Sequence, residues 1–231
     1  MKLIKLEIKK INLMPYLLTA LVMPFVSLIF MYFMAFIPKI DTSNASAIEF
    51  SSHSFIYTLG LMINIAGFVC LGTTLIGKLV ISAYDDKNCY LTLSYPVARK
   101  KVLRAKLQTG LLVSSVGIIL SGIFSSLLFF ISESIFQIVD EPVLFNDVVN
   151  FTPLIIVAVF LVVSIITISL SIGWWKNSIP LTIVSGILIY SVSSNLLSAG
   201  LPLLLIFTCF LSLITFITLF FLVKKVNGLE V

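Results

Sequence analysis

The residues able to do chemistry are few, and their spacing excludes most of it. Gly72, Gly77 and Lys78, in GTTLIGK, come within one residue of a phosphate-binding loop, but Leu79 stands where Ser or Thr would hold magnesium. The surrounding stretch reads as a membrane helix, not as the strand–turn–helix that such a loop needs. His53 is the sole histidine and has no second metal ligand near it in sequence, so it reads as a surface residue. Cys70, Cys89 and Cys209 show neither CxxC nor metal-ligand spacing, and Cys70 and Cys209 fall in apolar runs as small core residues. No acidic residue falls inside an expected span, so paired carboxylates for intramembrane proteolysis or ion coupling are not expected. What remains is one charged internal segment, Lys78–Lys106, with nine charges: Lys78, Asp85, Asp86, Lys87, Arg99, Lys100, Lys101, Arg104 and Lys106. Its composition points to binding, not to bond-making.

The elements that position this segment are apolar. The chain is 59% hydrophobic and 11% charged with a mean hydropathy of +1.16, whereas soluble domains carry about 25% charged residues. The reading is an all-α polytopic membrane protein in which residues 1–231 form a single transmembrane domain. No charge interrupts the 28 residues between Lys10 and Lys39, enough to cross a bilayer that needs about 20. Six spans are predicted, at about 14–37, 54–77, 107–132, 153–175, 181–197 and 203–223. Pro24 should kink the first. Gly60, Gly67 and Gly72 should let helices approach the second closely, and the Ser- and Gly-rich third suggests tight packing or a substrate path, with packing favoured. The 47 uncharged residues from Asn177 to Val223 are too many for one helix, and Ser194–Pro202 is where they should break.

Charge then orients the chain. With both termini in the cytosol, segments 1–12, 78–106, 176–180 and 224–231 hold 14 of the 15 Lys and Arg residues. Only Lys39 falls outside, so N-in, C-in satisfies the preference of basic residues for the cytosolic side. The net charge of +5 is therefore a topology signal, and no nucleic-acid partner is expected. Lys5, Lys9 and Lys10 belong either to an interfacial helix over residues 2–13, opposite Ile4, Ile8 and Ile11, or to a plain basic flank. Arg99, Lys100, Lys101, Arg104 and Lys106 should meet anionic headgroups. Trp174 and Trp175 should sit at headgroup level.

The core SYPVARKKVLRAKL resembles the cytosolic segment of bacterial ABC-2-type transporter permeases, where a Ser-x-Pro, a basic cluster and a Lys lead into the third span. Ser94, Pro96, Arg99, Lys100 and Lys106 stand in that pattern. Asp85 and Asp86 can supply the acidic residue found upstream in the family, but Lys87-Asn88-Cys89 replaces its Gly-Thr pair. The resemblance covers about 25 residues in motif and the six-span topology in outline. It implies a short coupling helix at Tyr84–Leu93, with Tyr84, Asp85, Asp86, Tyr90, Leu91, Ser94 and Pro96 on the ATPase side. It further implies a cytosolic ABC ATPase dimer holding ATP and magnesium, a second permease chain, alike or related, and a place in the bacterial cell membrane. The chain itself is then no enzyme and binds no cofactor. The implied function is export of a small lipophilic or peptide compound, bacteriocin self-protection included. The alternative is a membrane sensor or scaffold that does not transport.

The orientation is directly testable. In a background lacking native cysteines, Ser43→Cys and Asp140→Cys should react with an impermeant thiol reagent in whole cells, and Lys101→Cys should not. Labelling at position 101 from outside would overturn the assignment.

Overall fold

The computed structural model describes residues 14–40, 52–84, 99–139, 145–198 and 201–227. They form six long helices: α1 (Met14–Ile40), α2 (His53–Val80), α3 (Arg99–Phe136), α4 (Phe145–Trp175), α5 (Ile179–Ser198) and α6 (Leu201–Asn227). One turn of 3-10 helix, Ile81–Ala83, extends α2, and no strand is present among the described residues. All six are long and apolar enough to cross a membrane, as the hydropathy pattern requires. The chain is a multi-pass helical membrane protein. Helix is the natural solution because every backbone donor and acceptor is satisfied within its own segment, away from water. The predicted break falls where expected, between Ser198 and Leu201.

α2 is the centre of the bundle and touches α1, α3, α4 and α5; α4 is its second core helix, touching α2, α3, α5 and α6. Both are mostly buried, while α1, α5 and α6 turn most of their apolar surface outward. The expected close approaches along α2 are present. A Cβ at Gly60 would lie 2.7 Å from Met31 Sδ, one at Gly67 would lie 1.8 Å from Met23 Cε, and one at Gly72 would lie 2.1 Å from Ile166 Cδ1. Polar ties add to the packing. The Tyr190 hydroxyl on α5 donates to the Met62 carbonyl on α2 at 2.8 Å, and the Ser121 hydroxyl on α3 donates to Asn64 Oδ1 on α2. Pro24 stands within α1 as expected, and Pro38 joins it.

Two expectations are corrected at the end of the bundle where α3 finishes. α3 runs past residue 132 to Phe136 and takes Glu133 with it, 0% exposed. An acidic residue does therefore lie inside an apolar helix. Its Oε1 accepts the Val139 backbone N–H at 2.5 Å, while Gln137 adopts a left-handed φ of 44° and donates its N–H to the Glu133 carbonyl at 2.9 Å. The carboxylate is buried because it closes the chain reversal after α3, a local role that hydropathy does not register. Glu133 Oε2 has no hydrogen-bond partner among the described residues. His53, read from the sequence as a surface residue, is buried as the first residue of α2, whereas Cys70 and Cys209, read as small core residues, are exposed on the outer faces of α2 and α6.

The α4–α5 turn is tight. Asn177 takes φ 47°, a left-handed conformation that Asn tolerates better than most residues. The Ser178 N–H donates to the Gly173 carbonyl at 3.0 Å, and the Ser178 carbonyl accepts from Thr182 N–H at 3.3 Å. Thr182 crosses so near that a Cβ on Gly173 would lie 1.8 Å from its Oγ1 and 3.0 Å from its Cα. Gly122, by contrast, leaves 3.5 Å to its nearest neighbour, Ile155. Gly173→Ala should therefore lose about 1–3 kcal/mol by overpacking, whereas Gly122→Ala should hold or gain stability through helix propensity of about 1 kcal/mol. Thermal unfolding of both variants in the same detergent checks the difference.

Candidate functional site at the basic end of the bundle

Consecutive helices alternate in direction, so the last turn of α2, the first turns of α3, the α4–α5 turn and the last turn of α6 gather at one end. Lys78, Lys100, Lys101, Arg104, Lys176 and Lys224 are all exposed there. The acidic residues among the described ones, Glu133 and Asp147, belong to the opposite end. Among the described residues that end is a basic collar with no acidic side chain, suited to anionic headgroups or an acidic protein surface.

Inside the collar three helix ends are clamped together. The Tyr84 ring packs on Trp174, with centroids 5.3 Å apart and planes inclined at 36°. Lys225 of α6 places its Nζ 5.2 Å from the centre of the Trp174 ring. The same Nζ donates to the Trp174 carbonyl at 2.7 Å. Trp174 lies in the last turn of α4, where carbonyls lack α-helical donors and the helix dipole is negative, so a cation is favoured at that point. One ammonium thus satisfies a helix terminus and stacks on its aromatic ring. The contact ties together the chain just beyond α2, the end of α4 and the end of α6.

These positions refine the sequence reading residue by residue. Trp174 is 2% exposed and Trp175 86%; neighbours on a helix point about 100° apart, and here the two rings divide, Trp175 towards the surroundings and Trp174 into the bundle. Trp174, expected at headgroup level, belongs to the interior because it follows Ile166 and Leu170 on the inward face of α4. Lys106 is likewise 4% exposed, on the inward row of Leu103, Leu107 and Gly110, and does not share the outward face of Lys100, Lys101 and Arg104. Tyr84, expected on the ATPase side, is buried against Trp174 and can act there only as an anchor for the segment that follows it. Arg99 is the first residue of α3, so the basic cluster and the third span form one continuous helix. Asp85, Asp86, Tyr90, Leu91, Ser94 and Pro96 lie outside the described residues, as do Lys5, Lys9 and Lys10. Sequence reasoning missed the Lys225–Trp174 pairing altogether. The available signal was a lysine following an apolar run at the same level as a Trp pair, which by itself names no partner.

No group of three or more potential metal ligands occurs among the described residues. The described part of the site offers charge and an aromatic clamp. Its class is that of a six-helix membrane protein with a basic face. The chain is similar to the uncharacterized protein YcbO of Bacillus subtilis (strain 168), with 28% identity over 195 residues, 84% of each chain. No family model matches the chain, and no solved structure matches it significantly.

The clamp predicts a graded response. Trp174→Ala should destabilise by about 3–5 kcal/mol, as expected for a buried aromatic. Lys225→Met should lose about 1–3 kcal/mol, from the charge-assisted hydrogen bond and the cation–ring contact. Trp175→Ala should change stability far less than Trp174→Ala. Detergent-solubilised unfolding curves of the three variants rank the contributions.

Proposed function

We propose that the chain is the membrane-spanning permease subunit of an ATP-driven ABC exporter in the bacterial cell membrane, moving a small lipophilic or peptide compound. The observation that carries the reading is the position of the two residues that bracket the central segment: Tyr84 is buried against Trp174 at the basic end, and α3 begins at the same end with Arg99. A segment held at both ends can pass a push from a soluble partner into the central helix α2 and into α3. This is also the segment whose SYPVARKKVLRAKL core resembles the ATPase-facing part of ABC-2-type permeases.

In this reading the basic end is cytosolic, and ATP and magnesium are bound by a separate ATPase dimer. A second permease chain completes the path, since a single bundle with two core helices has little room to enclose one. Tyr90 and Leu91 are the apolar residues that enter the ATPase. Tyr84 stays inside and anchors the segment to Trp174.

The test is co-purification of the ATPase with the full-length chain from native membranes at matched expression. Tyr90→Asp with Leu91→Asp should abolish most ATPase recovery and substrate-stimulated hydrolysis, because an unpaired charge buried at a contact costs at least several kcal/mol. Lys100→Gln with Lys101→Gln should do less, since each near-surface cation contributes about 1 kcal/mol of attraction to anionic lipid. Wild-type recovery and hydrolysis in the Asp variant would sink the coupling role and favour a membrane sensor or scaffold.

A further inference from the structure

Between α1 and α3 runs an open groove of about 850 Å³. The two helices run in the same direction from the basic end. They meet where Phe25 packs edge-on against Phe124, with centroids 5.7 Å apart, and again further on, where the Tyr32 hydroxyl donates to Ser132 Oγ. Towards the basic end the facing residues are small. Ala20 and Pro24 line the groove from α1, Gly117 and Ser121 from α3. A Cβ on Gly117 would lie 2.4 Å from Phe68 Cε1, so α2 closes the floor there. Ser121 turns its hydroxyl away into Asn64, which leaves the floor without a free donor. The rims, including Leu17, Leu21, Leu112 and Val116, are exposed apolar side chains. The groove is thus apolar and open sideways.

Charge at one mouth identifies the occupant. Lys101 stands 11 residues before Leu112, close to three helical turns at about 3.6 residues each, so both lie on one face of α3. Arg104 is exposed one turn nearer the groove, about 80° round the helix from Leu112, so that only its long side chain can reach the mouth. From Arg104 to Leu112 the helix rises about 12 Å at roughly 1.5 Å per residue, a separation suited to a phosphate outside the hydrocarbon and a chain within it.

We propose that this groove is a binding site for an anionic phospholipid of the leaflet at the basic end. One acyl chain lies between α1 and α3 as far as Phe25 and Phe124, and the phosphate rests on Lys101 and Arg104. The site requires no ATPase and stands apart from the transport reading. The full-length chain, purified in mild detergent, is mixed with equal concentrations of phosphatidylglycerol and phosphatidylcholine, and retained lipid is counted by native mass spectrometry. One phosphatidylglycerol should be held per chain, preferred over phosphatidylcholine roughly thirtyfold, as two near-surface cations would contribute.

Lys101→Gln with Arg104→Gln, both exposed positions, should abolish the preference while leaving weak retention of both lipids. Val116→Trp, at a rim position that is 51% exposed, should lay its ring across the groove and reduce retention about tenfold or more. Leu213→Trp on the outer face of α6 should behave as wild type, and circular dichroism confirms that each variant keeps its helices. Equal retention of the two lipids by the wild type would overturn the proposal. So would unchanged retention by Val116→Trp, which would mean ordinary boundary lipid, and so would a dimer that retains no lipid, which would mean a second copy of the chain in the groove.

Discussion

Everything in this bundle depends on how closely other helices can approach α2. Within a membrane the hydrophobic effect does not drive one apolar helix onto another, because lipid tails are as apolar as leucine. What remains is contact at short range, and dispersion falls away within an ångström of the optimum. α2 meets that constraint with glycine at successive points of contact. Met31 and Met23 of α1 and Ile166 of α4 each occupy space that a Cβ at Gly60, Gly67 or Gly72 would need. α5 repeats the device from its own side, since a Cβ on Gly186 would lie 2.7 Å from Thr73 Cγ2 of α2. Methionine suits the α1 contacts, because its unbranched chain can follow an irregular surface.

The polar residues of the spans are managed by a second rule. Most Ser and Thr hydroxyls return to a carbonyl three or four residues back on their own helix, as Thr73 does to Val69 at 2.8 Å and Thr109 to Ala105 at 2.8 Å. Such hydroxyls are satisfied wherever the helix turns, so the Ser-rich third span can pack like an apolar one. Ser121 is different, because it bonds across to Asn64 and thereby fixes the rotation of α3 against α2. This cross-helix bond also leaves the α1–α3 groove apolar.

The sequence made the six helices legible because each must be apolar for about 20 residues, and the charges between them marked the connections. The ends were less legible. Glu133 looks like a loop residue in any hydropathy profile, and its burial depends on a backbone donor six residues later, Val139, reached through a left-handed Gln137. Trp174 and Trp175 look alike in sequence and separate only once the inward face of α4 is known. Lys106 read as one more member of a basic cluster, yet helical register turns it inward while Lys101 and Arg104 turn out. In each case composition identified the stretch, and rotation about the helix axis decided the role. The central segment resembling ABC-2-type permeases contributes its two attachment points to the described structure, Tyr84 and Arg99.

The length of α3 has a mechanical consequence. At about 1.5 Å per residue its 38 residues make a rod of about 57 Å, with no proline to bend it. Near its middle, Gly117 sits directly on Phe68, the closest approach of α3 to the central helix recorded at a glycine. From there the rod extends about 27 Å to Arg99 and about 28 Å to Phe136. That contact divides the rod into two nearly equal arms, so a tilt of roughly 5° about it would move each end by about 2 Å in opposite directions. A sideways force on the basic cluster would then displace the buried Glu133 turn at the far side of the bundle, with no residue between them changing its helical conformation.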